Sequence, residues 1–408
     1  MKVVIAAVSS NRSLSGVSRH AANLAKCLLI RPEISALHVL VAPWELEYLK
    51  NAISRSDRRL RIHAVSLRPG TLRRNIWYYR TLPAIAEQLQ ADLVHLAYPS
   101  LIGRDAFPCP TVVTLHDLYP YDIASNFGFP KVLFNRVVLR QCLKNATSIA
   151  CVSDATRGRL GTIMPRLLPK AETICNCAEG GPPPRKPPFA ASWNEQPFLL
   201  CVAQHRRNKN VLFALRVFHS ALASGQIAPT MRLVIVGLPG PESAEIFRFV
   251  RRADLQHRAV FVDGISDAEL AWCYRHAELL LAPSIIEGFG LPVLEAQLAG
   301  CRVVCSDIAA FREVGSAGCR LVSLGPGAEH NFALAIAEAL RTRRPAATTQ
   351  ARLSPAAIAG QYLVLYGTIL NRQTTDSVPE SAAQPQRICE VGQRGTSLAP
   401  GVSTSGRL

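Results

Sequence analysis

The stretch that decides the fold runs from Leu279 to Ser306 and reads "LLLAPSIIEGFGLPVLEAQLAGCRVVCS". It begins and ends with short, almost continuous apolar runs, 279–284 and 301–306, which predict buried strands. Between them a loop with two glycines leads into "PVLEAQLAG", 292–300, which predicts a helix. A strand, a helix and a second strand in this order predict parallel pairing in a sheet that is covered on both faces.

The same alternation extends along the chain in two series that flank a proline-rich segment. That segment, 179–197, contains six prolines and predicts a linker. The first series has the apolar runs "KVVIAAV", "LHVLVA", "RIHAVSL", "DLVHLA", "TVVTLHD" and "SIACVS". The second has "FLLCVA", "RLVIVG", "AVFVDG", "LLLAPS", "CRVVCS" and "CRLVSL". We therefore predict an α/β protein with two Rossmann-like, doubly wound domains that face a central cleft.

These patterns also suggest where the domains begin and end. We expect a first Rossmann-like domain over 1–180, a linker over 181–197 and a second Rossmann-like domain over 198–350. A closing helix is expected over 351–372. The remaining segment, 373–408, is polar and low in large apolar residues, so we expect a disordered tail.

The bulk composition narrows the class of protein. The chain has 408 residues, of which 49% are hydrophobic and 18% charged, and this suits a globular protein with sizeable cores. No apolar run reaches the ~18 residues of a membrane span. The 12 cysteines are scattered through strand-like runs without zinc-ligand spacing, so we expect buried thiols and no metal site. These features together predict a cytoplasmic protein.

The charge is strongly basic and concentrated in one segment. The formal net charge is +17, and the segment Lys50–Arg80 holds nine Lys and Arg residues but one acid. Trp77, Tyr78 and Tyr79 lie among these arginines, and such aromatic residues suit a membrane interface. We therefore expect either peripheral contact with anionic lipid at the inner face of a membrane, or a solvated basic face that attracts another anion.

The loop inside the opening stretch can recognise a polar, anionic ligand. Gly288 and Gly290 allow the backbone to approach a ligand closely, and the following helix directs free amides at an anion. Glu287 and Glu295, before and after the glycines, can accept hydrogen bonds from hydroxyl groups. A glutamate in a first helical turn can also simply complement the helix dipole, so Glu295 alone would not establish a site.

The whole string "PSIIEGFGLPVLEAQLAGCRVVCSD" resembles the signature of the retaining glycosyltransferases of family 4, which have the architecture called GT-B. That signature is two glutamates separated by seven residues around a GFG-type loop. The resemblance is close over most of 198–340 and looser in the first half. It implies that Glu287 contacts the donor sugar and that Glu295 holds the nucleotide ribose. The sugar and diphosphate would then be bound by the loop residues Gly288, Phe289, Gly290 and Leu291.

The basic loop "AQHRRNKN" follows the first strand of the second domain, on the ligand side of the sheet. The family places an arginine and a lysine here against the diphosphate, where fixed cations stabilise the leaving group. Lys209 matches the lysine. The arginine position falls on Gln204 or its neighbour Ala203, so Arg206 is the expected substitute, or Gln204 bonds the phosphate as a neutral group.

The first half carries weaker matches to the family. Ser15 and Gly16 stand where the family has a glycine-rich loop near donor and acceptor, and His116 matches a histidine beside the sugar. Ser153 and Asn176 also match family positions near the cleft, and we interpret these two as structural.

The resemblance implies a retaining glycosyltransferase that moves a hexose from a nucleotide-diphosphate sugar to a glycan or lipid-linked acceptor, in cell-surface polysaccharide biosynthesis, without cofactor or nucleic acid. Three alternatives stay open from the residues. The acid pair would also serve a retaining glycosidase, nucleotide-sugar epimerases use the same fold, and a degenerate sugar-binding protein could keep the cleft. A dinucleotide oxidoreductase is disfavoured because no GxGxxG follows the first strand of either domain.

Overall fold

The computed structural model describes residues 1–10, 16–53, 57–103, 105–177, 181–193, 196–316, 318–348 and 350–376. Within this part of the chain, two parallel sheets account for all the paired strands. The first sheet has seven strands: β1 (Lys2–Ala6), β2 (Ala36–Val41), β3 (Leu60–Ala64), β4 (Leu93–Leu96), β5 (Thr111–Leu115), β6 (Ser148–Cys151) and β7 (Ala171–Thr173). The second has six: β8 (Phe198–Val202), β9 (Arg232–Val236), β10 (Ala259–Val262), β11 (Leu279–Ala282), β12 (Arg302–Ser306) and β13 (Cys319–Val322).

Both sheets have the order of a doubly wound fold. The first runs β3-β2-β1-β4-β5-β6-β7 and the second β10-β9-β8-β11-β12-β13, so each reverses direction beside its first strand. In β8 the alternate residues Phe198 and Leu200 join one buried cluster, while Leu199 and Cys201 join another. Apolar side chains on both faces of a strand are the reason for its continuous hydrophobic pattern. The fold class predicted from the sequence is therefore confirmed.

Helices cover the faces of both sheets. In the first half they are α1 (Gly16–Leu29), α2 (Leu46–Ile53), α3 (Thr71–Ile76), α4 (Leu82–Gln88), α5 (Tyr119–Asp122), α6 (Lys131–Asn145) and α7 (Asp154–Ile163). In the second half they are α8 (Val211–Ala223), α9 (Ser243–Arg252), α10 (Asp267–His276), α11 (Leu291–Leu298), α12 (Ala309–Val314), α13 (Ala328–Arg341) and α14 (Pro355–Asp376). A π-helical turn, Trp77–Thr81, joins α3 to α4.

Helix α14 returns from the second half of the chain to the first sheet. Its Tyr362 and Tyr366 are buried, and the Tyr366 hydroxyl lies 2.5 Å from Nδ1 of His95 in β4. Burial lowers the pKa of His95 to about 3, so the ring is neutral and shares a hydrogen bond with the tyrosine hydroxyl. The helix extends to Asp376, four residues into the segment expected to be a tail, and 377–408 lie outside the described residues.

Two expectations for the first half need correction. Strand β7 was absent from the predicted series because it has three residues and an exposed central Glu172. The aromatic residues of the basic segment also behave differently from expectation. Trp77 is 6% exposed and Tyr78 is fully buried, and the Tyr78 hydroxyl donates to the Ala6 carbonyl. Tyr79 alone of these three is exposed, because the other two rings complete the core under β1.

Candidate active site

Glu287 lies in the loop after β11, where several donors converge on its carboxylate. Lys209 Nζ lies 2.6 Å from Oε1 and 2.8 Å from Oε2. Ser284 Oγ donates to Oε1 at 2.7 Å, and the Tyr119 hydroxyl donates to Oε2 at 3.2 Å. Lys209 follows β8 and Glu287 follows β11, and these strands are neighbours, so the sheet itself brings the two charges together. The sequence predicted both residues for the site, and the structure brings them into one ion pair.

Glu295 is the fifth residue of α11, in its second turn rather than the expected first. Its Oε1 accepts a hydrogen bond from Arg19 Nη1 at 2.9 Å, and its Oε2 accepts one from the Tyr274 hydroxyl at 2.8 Å. Arg19 also reaches Asp267 Oδ1 at 2.5 Å. Glu295 thus accepts hydrogen bonds from both domains: from Arg19 of the first and from Tyr274 of the second. Sequence reasoning did not select Arg19.

The GFG loop, residues 288–290, contacts the first domain directly. A Cβ placed on Gly288 would lie 1.7 Å from the His116 carbonyl oxygen, so only glycine fits this contact. The Gly288 carbonyl accepts hydrogen bonds from Ser153 Oγ at 2.5 Å and Thr156 Oγ1 at 3.0 Å. Gly290 has φ +106°, which side-chain-bearing residues rarely adopt, and it caps α11, whose first residue is Leu291. Phe289 is 4% exposed and packs into the core.

His116 follows β5 and lies at this contact as a neutral ring. Its Nε2–H donates to the Ala97 carbonyl at 2.8 Å, which leaves Nδ1 as a hydrogen-bond acceptor. Burial lowers the pKa of His116 to about 4. The His20 ring stands edge-on at 4.6 Å between centroids, and its Nδ1 lies 2.7 Å from Asn176 Oδ1. Asn176 therefore orients His20, which in turn packs against His116. Ser153 caps α7 and also binds the Gly288 carbonyl.

Asp117 and Tyr119 complete the first-domain side of the site, and sequence reasoning gave neither a role. Burial and the nearby Glu287 carboxylate raise the pKa of Asp117 to about 6, while Arg206 and Lys209 oppose that shift. The Tyr119 amide donates to Asp117 Oδ1 at 3.0 Å. The available sequence signal was their position directly after strand β5, where ligand-binding residues of a doubly wound sheet collect.

Of the remaining predicted residues that the structure describes, none makes a hydrogen bond to either acid. Arg206 is half-buried and close enough to Asp117 to affect its pKa, and its amide donates to the Gln204 carbonyl at 2.7 Å. Gly16 begins α1, whose first turn carries Arg19. Ser15 lies outside the described residues. Within the described chain, no three His, Cys, Asp or Glu side chains cluster in a way that could hold a metal ion.

Family models match both halves of the chain. The model described as "Glycosyl transferases group 1" matches residues 185–359, and the one described as "Glycosyltransferase Family 4" matches 14–177. The chain belongs to the family 4 glycosyltransferases. The group 1 match contains both acids and the basic loop, and the family 4 match contains the first-domain side of the site.

The relatives of this glycosyltransferase support the same assignment. It is 24% identical to O-antigen chain mannosyltransferase B of Escherichia coli over 332 residues, covering 78% of this chain and 86% of that protein. It is 26% identical to O-antigen chain mannosyltransferase RfbU of Salmonella typhimurium over 212 residues, which is 52% of this chain and 56% of that protein.

Solved glycosyltransferase structures share the two-domain fold at low sequence identity. Sucrose-phosphate synthase of Thermosynechococcus elongatus superimposes with a TM-score of 0.63 and 18% identity, over 91% of this chain and 99% of that chain. HepE of Anabaena, solved in complex with UDP-glucose, gives 0.60 and 17%, over 92% and 100%. At these identities the likeness concerns the fold alone, which is GT-B.

Proposed function

We propose that this glycosyltransferase is a retaining enzyme that moves a hexose from a nucleotide-diphosphate sugar to a glycan or lipid-linked acceptor in cell-surface polysaccharide biosynthesis. The observation that carries the proposal is the Glu287–Lys209 pair, held in the cleft between the two domains. The names of the O-antigen mannosyltransferase relatives support the polysaccharide setting and make mannose the first sugar to test.

The Lys209 ammonium group suits a diphosphate leaving group. Two of its three N–H bonds are directed at Glu287, so one remains for a phosphate oxygen. Arg206 lies in the same loop, and the Leu291 amide at the start of α11 adds a further donor. Fixed donors of this kind stabilise the negative charge that develops as the glycosidic bond breaks, and they do so without reorganisation.

The two acids then have separate roles. Glu287 contacts the sugar beside neutral His116, and Glu295 holds the ribose hydroxyls. The Tyr119 hydroxyl donates to Glu287, and a sugar hydroxyl can take its place there because both groups are hydrogen-bond donors. The glycosidase alternative leaves Lys209 and the basic loop without a substrate group to bind, because its glycan substrate carries no phosphate. A nucleotide-sugar epimerase would also bind a diphosphate, so the products of the reaction have to separate it from a transferase.

Nucleotide release with and without acceptor tests this function. The protein is incubated with nucleotide-activated mannose, glucose and N-acetylglucosamine, and free diphosphate nucleotide is measured. We expect release that depends on an acceptor, and a product whose anomeric configuration, read by NMR, equals that of the donor. Inverted product would refute retention. Sugar hydrolysis of a non-activated glycan would favour the glycosidase, and release of an isomerised sugar would favour the epimerase.

An exposed apolar and basic surface on the first domain supports a membrane-bound acceptor. Along α3 and the π-helical turn, Leu72, Ile76 and Tyr79 are 66%, 46% and 46% exposed at helical spacing, and Arg73 and Arg80 in the same segment are exposed as well. Along α6, exposed apolar side chains precede two exposed cations; these residues are Leu133, Phe134, Val137, Arg140 and Lys144.

Both helices border the loop that follows β4. Asn75 at the end of α3 accepts the Leu101 amide, and Gln141 of α6 accepts the Ile102 amide. We call the exposed side chains of these two elements the α3–α6 surface. Exposed apolar residues accompanied by cations match an anionic bilayer, in which apolar side chains enter the interface and cations meet the headgroups. No helix in the described part of the chain is long and apolar enough to cross a membrane.

Vesicle co-sedimentation tests the α3–α6 surface. We expect more protein on anionic than on neutral vesicles, with the difference reduced by salt, since each basic residue near a charged bilayer contributes about 1 kcal/mol. The double change Arg73→Glu and Arg80→Glu, and separately Val137→Asp, should reduce binding. Val364→Asp is the matched control, because Val364 is 69% exposed on α14. Equal binding to both vesicle types would refute docking and favour a soluble acceptor.

A further inference from the structure

An ion triad crosses the cleft between the first turn of α1 and the second domain. The Arg19 guanidinium binds Glu295 at 2.9 Å through Nη1 and Asp267 at 2.5 Å through Nη2. The Arg19 and Glu295 side chains are 28% and 16% exposed, so solvent screens the pair only in part. Glu295 foremost, and then Asp267, raise the pKa of Arg19 well above its usual range. The arginine therefore makes two strong charged contacts with the domain that faces its own.

These contacts occupy the acid that would hold the ribose. Oε1 of Glu295 accepts Arg19 and Oε2 accepts the Tyr274 hydroxyl. A vicinal diol needs two acceptor positions on one carboxylate, and here Arg19 occupies one of them while Tyr274 occupies the other. In this arrangement Arg19 therefore occupies an acceptor position of Glu295 that the ribose would use.

The cleft is also shut at the GFG loop. The Gly288 backbone packs against the His116 carbonyl so closely that a methyl group would overlap it, and Ser153 and Thr156 bind the Gly288 carbonyl from the first domain. No sugar can lie between Gly288 and His116 in this arrangement. The domains must separate before a donor enters, and separation breaks both Arg19 contacts.

We infer that Arg19 is an affinity-determining residue that latches the cleft shut and competes with the donor nucleotide for Glu295. The inference rests on the proposed function in one respect, the ribose role of Glu295. When a binding-competent state is only a fraction of the population, the apparent affinity falls by that fraction. Removing the latch increases the open fraction, so nucleotide binding becomes tighter although a cation has been lost from the cleft.

Nucleotide titration of matched variants tests the latch. UDP, GDP and ADP are titrated by calorimetry into full-length wild type, Arg19→Ala, Asp267→Asn and Arg320→Ala. We expect the first two variants to bind the accepted nucleotide about three- to tenfold more tightly, which is about one decade or less of affinity. Arg320→Ala is the control, because it removes a comparable ion pair, to Glu338 at 3.1 Å, that does not cross the cleft. Its affinity should equal that of wild type.

Each other outcome has a definite meaning. Weaker binding by Arg19→Ala makes Arg19 a direct nucleotide ligand and overturns the latch, and unchanged affinity in both triad variants overturns it as well. If Arg19→Ala fails to fold, the affinity of Asp267→Asn for the nucleotide decides: tighter binding than wild type supports the latch, and unchanged or weaker binding overturns it. If no nucleotide binds to any variant, the proposed function fails, and small-angle scattering without nucleotide still tests the latch. A radius of gyration larger in Arg19→Ala than in wild type and Arg320→Ala supports it, and equal values refute it.

Discussion

Asp117→Asn should stabilise the protein and impair the enzyme at the same time. The Asp117 carboxyl follows β5 inside the cleft, faces Glu287, Arg206 and Lys209, and has a pKa raised from 3.8 to about 6 by burial first and Glu287 second. Its Oδ1 accepts the Tyr119 amide at 3.0 Å, and the amide oxygen of asparagine can keep that bond. The substitution thus removes the charge and leaves the local hydrogen bond in place.

The magnitude follows from proton linkage. A pKa of about 6 in the fold and 3.8 as the ordinary value corresponds to roughly 3 kcal/mol of free energy. The side chain keeps some contact with solvent, so we expect about 1–2 kcal/mol. Below about pH 4 the carboxyl is neutral in both states and the substitution changes little. From about pH 4 to 6 only the folded state holds the proton, so wild-type stability falls as pH rises, and above 6 the variant has its full advantage.

Urea unfolding of Asp117→Asn and wild type between pH 4 and 8 measures this difference, and steady-state kinetics measures turnover. We expect turnover to fall about tenfold or more, since stabilising changes at strained active sites commonly cost function. Asp307→Asn provides a control of opposite sign, because Arg312 holds the pKa of Asp307 below its usual range and its stabilisation is lost in acid. A variant of Asp117 that is less stable at pH 8, or a difference that does not shrink toward pH 4, would refute the reasoning.

Three further outcomes are expected. Glu287→Gln should lower kcat about a hundredfold or more with a smaller change in KM, because the proposed contact of Glu287 with the sugar acts near the transition state. A kcat within about twofold of wild type in steady-state kinetics would contradict that contact. Activity should survive EDTA, since Lys209 neutralises the diphosphate; loss that manganese or magnesium restores would contradict this. Tyr366→Phe should cost about 1–3 kcal/mol in urea unfolding at pH 7, because buried His95 loses its hydrogen-bond partner, whereas Tyr79→Phe at the surface should not.

Much of the fold could be predicted because strand and helix signals are local. Continuous apolar runs predicted all six strands of the second sheet and six of the seven in the first. The strand that was missed, β7, is too short and too exposed at Glu172 to give a pattern. The loop with Glu287 and the nearby Lys209 could be found for a similar reason, since both follow strands that are adjacent in a doubly wound sheet.

The sequence by itself thus determined the architecture, the family motif and one side of the candidate site. Tertiary structure alone decided which first-domain side chains meet that motif. Arg19 reaches Glu295 across 276 positions of sequence, and Tyr119 reaches Glu287 across 168. It also decided that Tyr78 is core while Tyr79 is surface. These outcomes depend on how two sheets and their helices pack together, and the periodicity of a single segment carries no information about its distant partners.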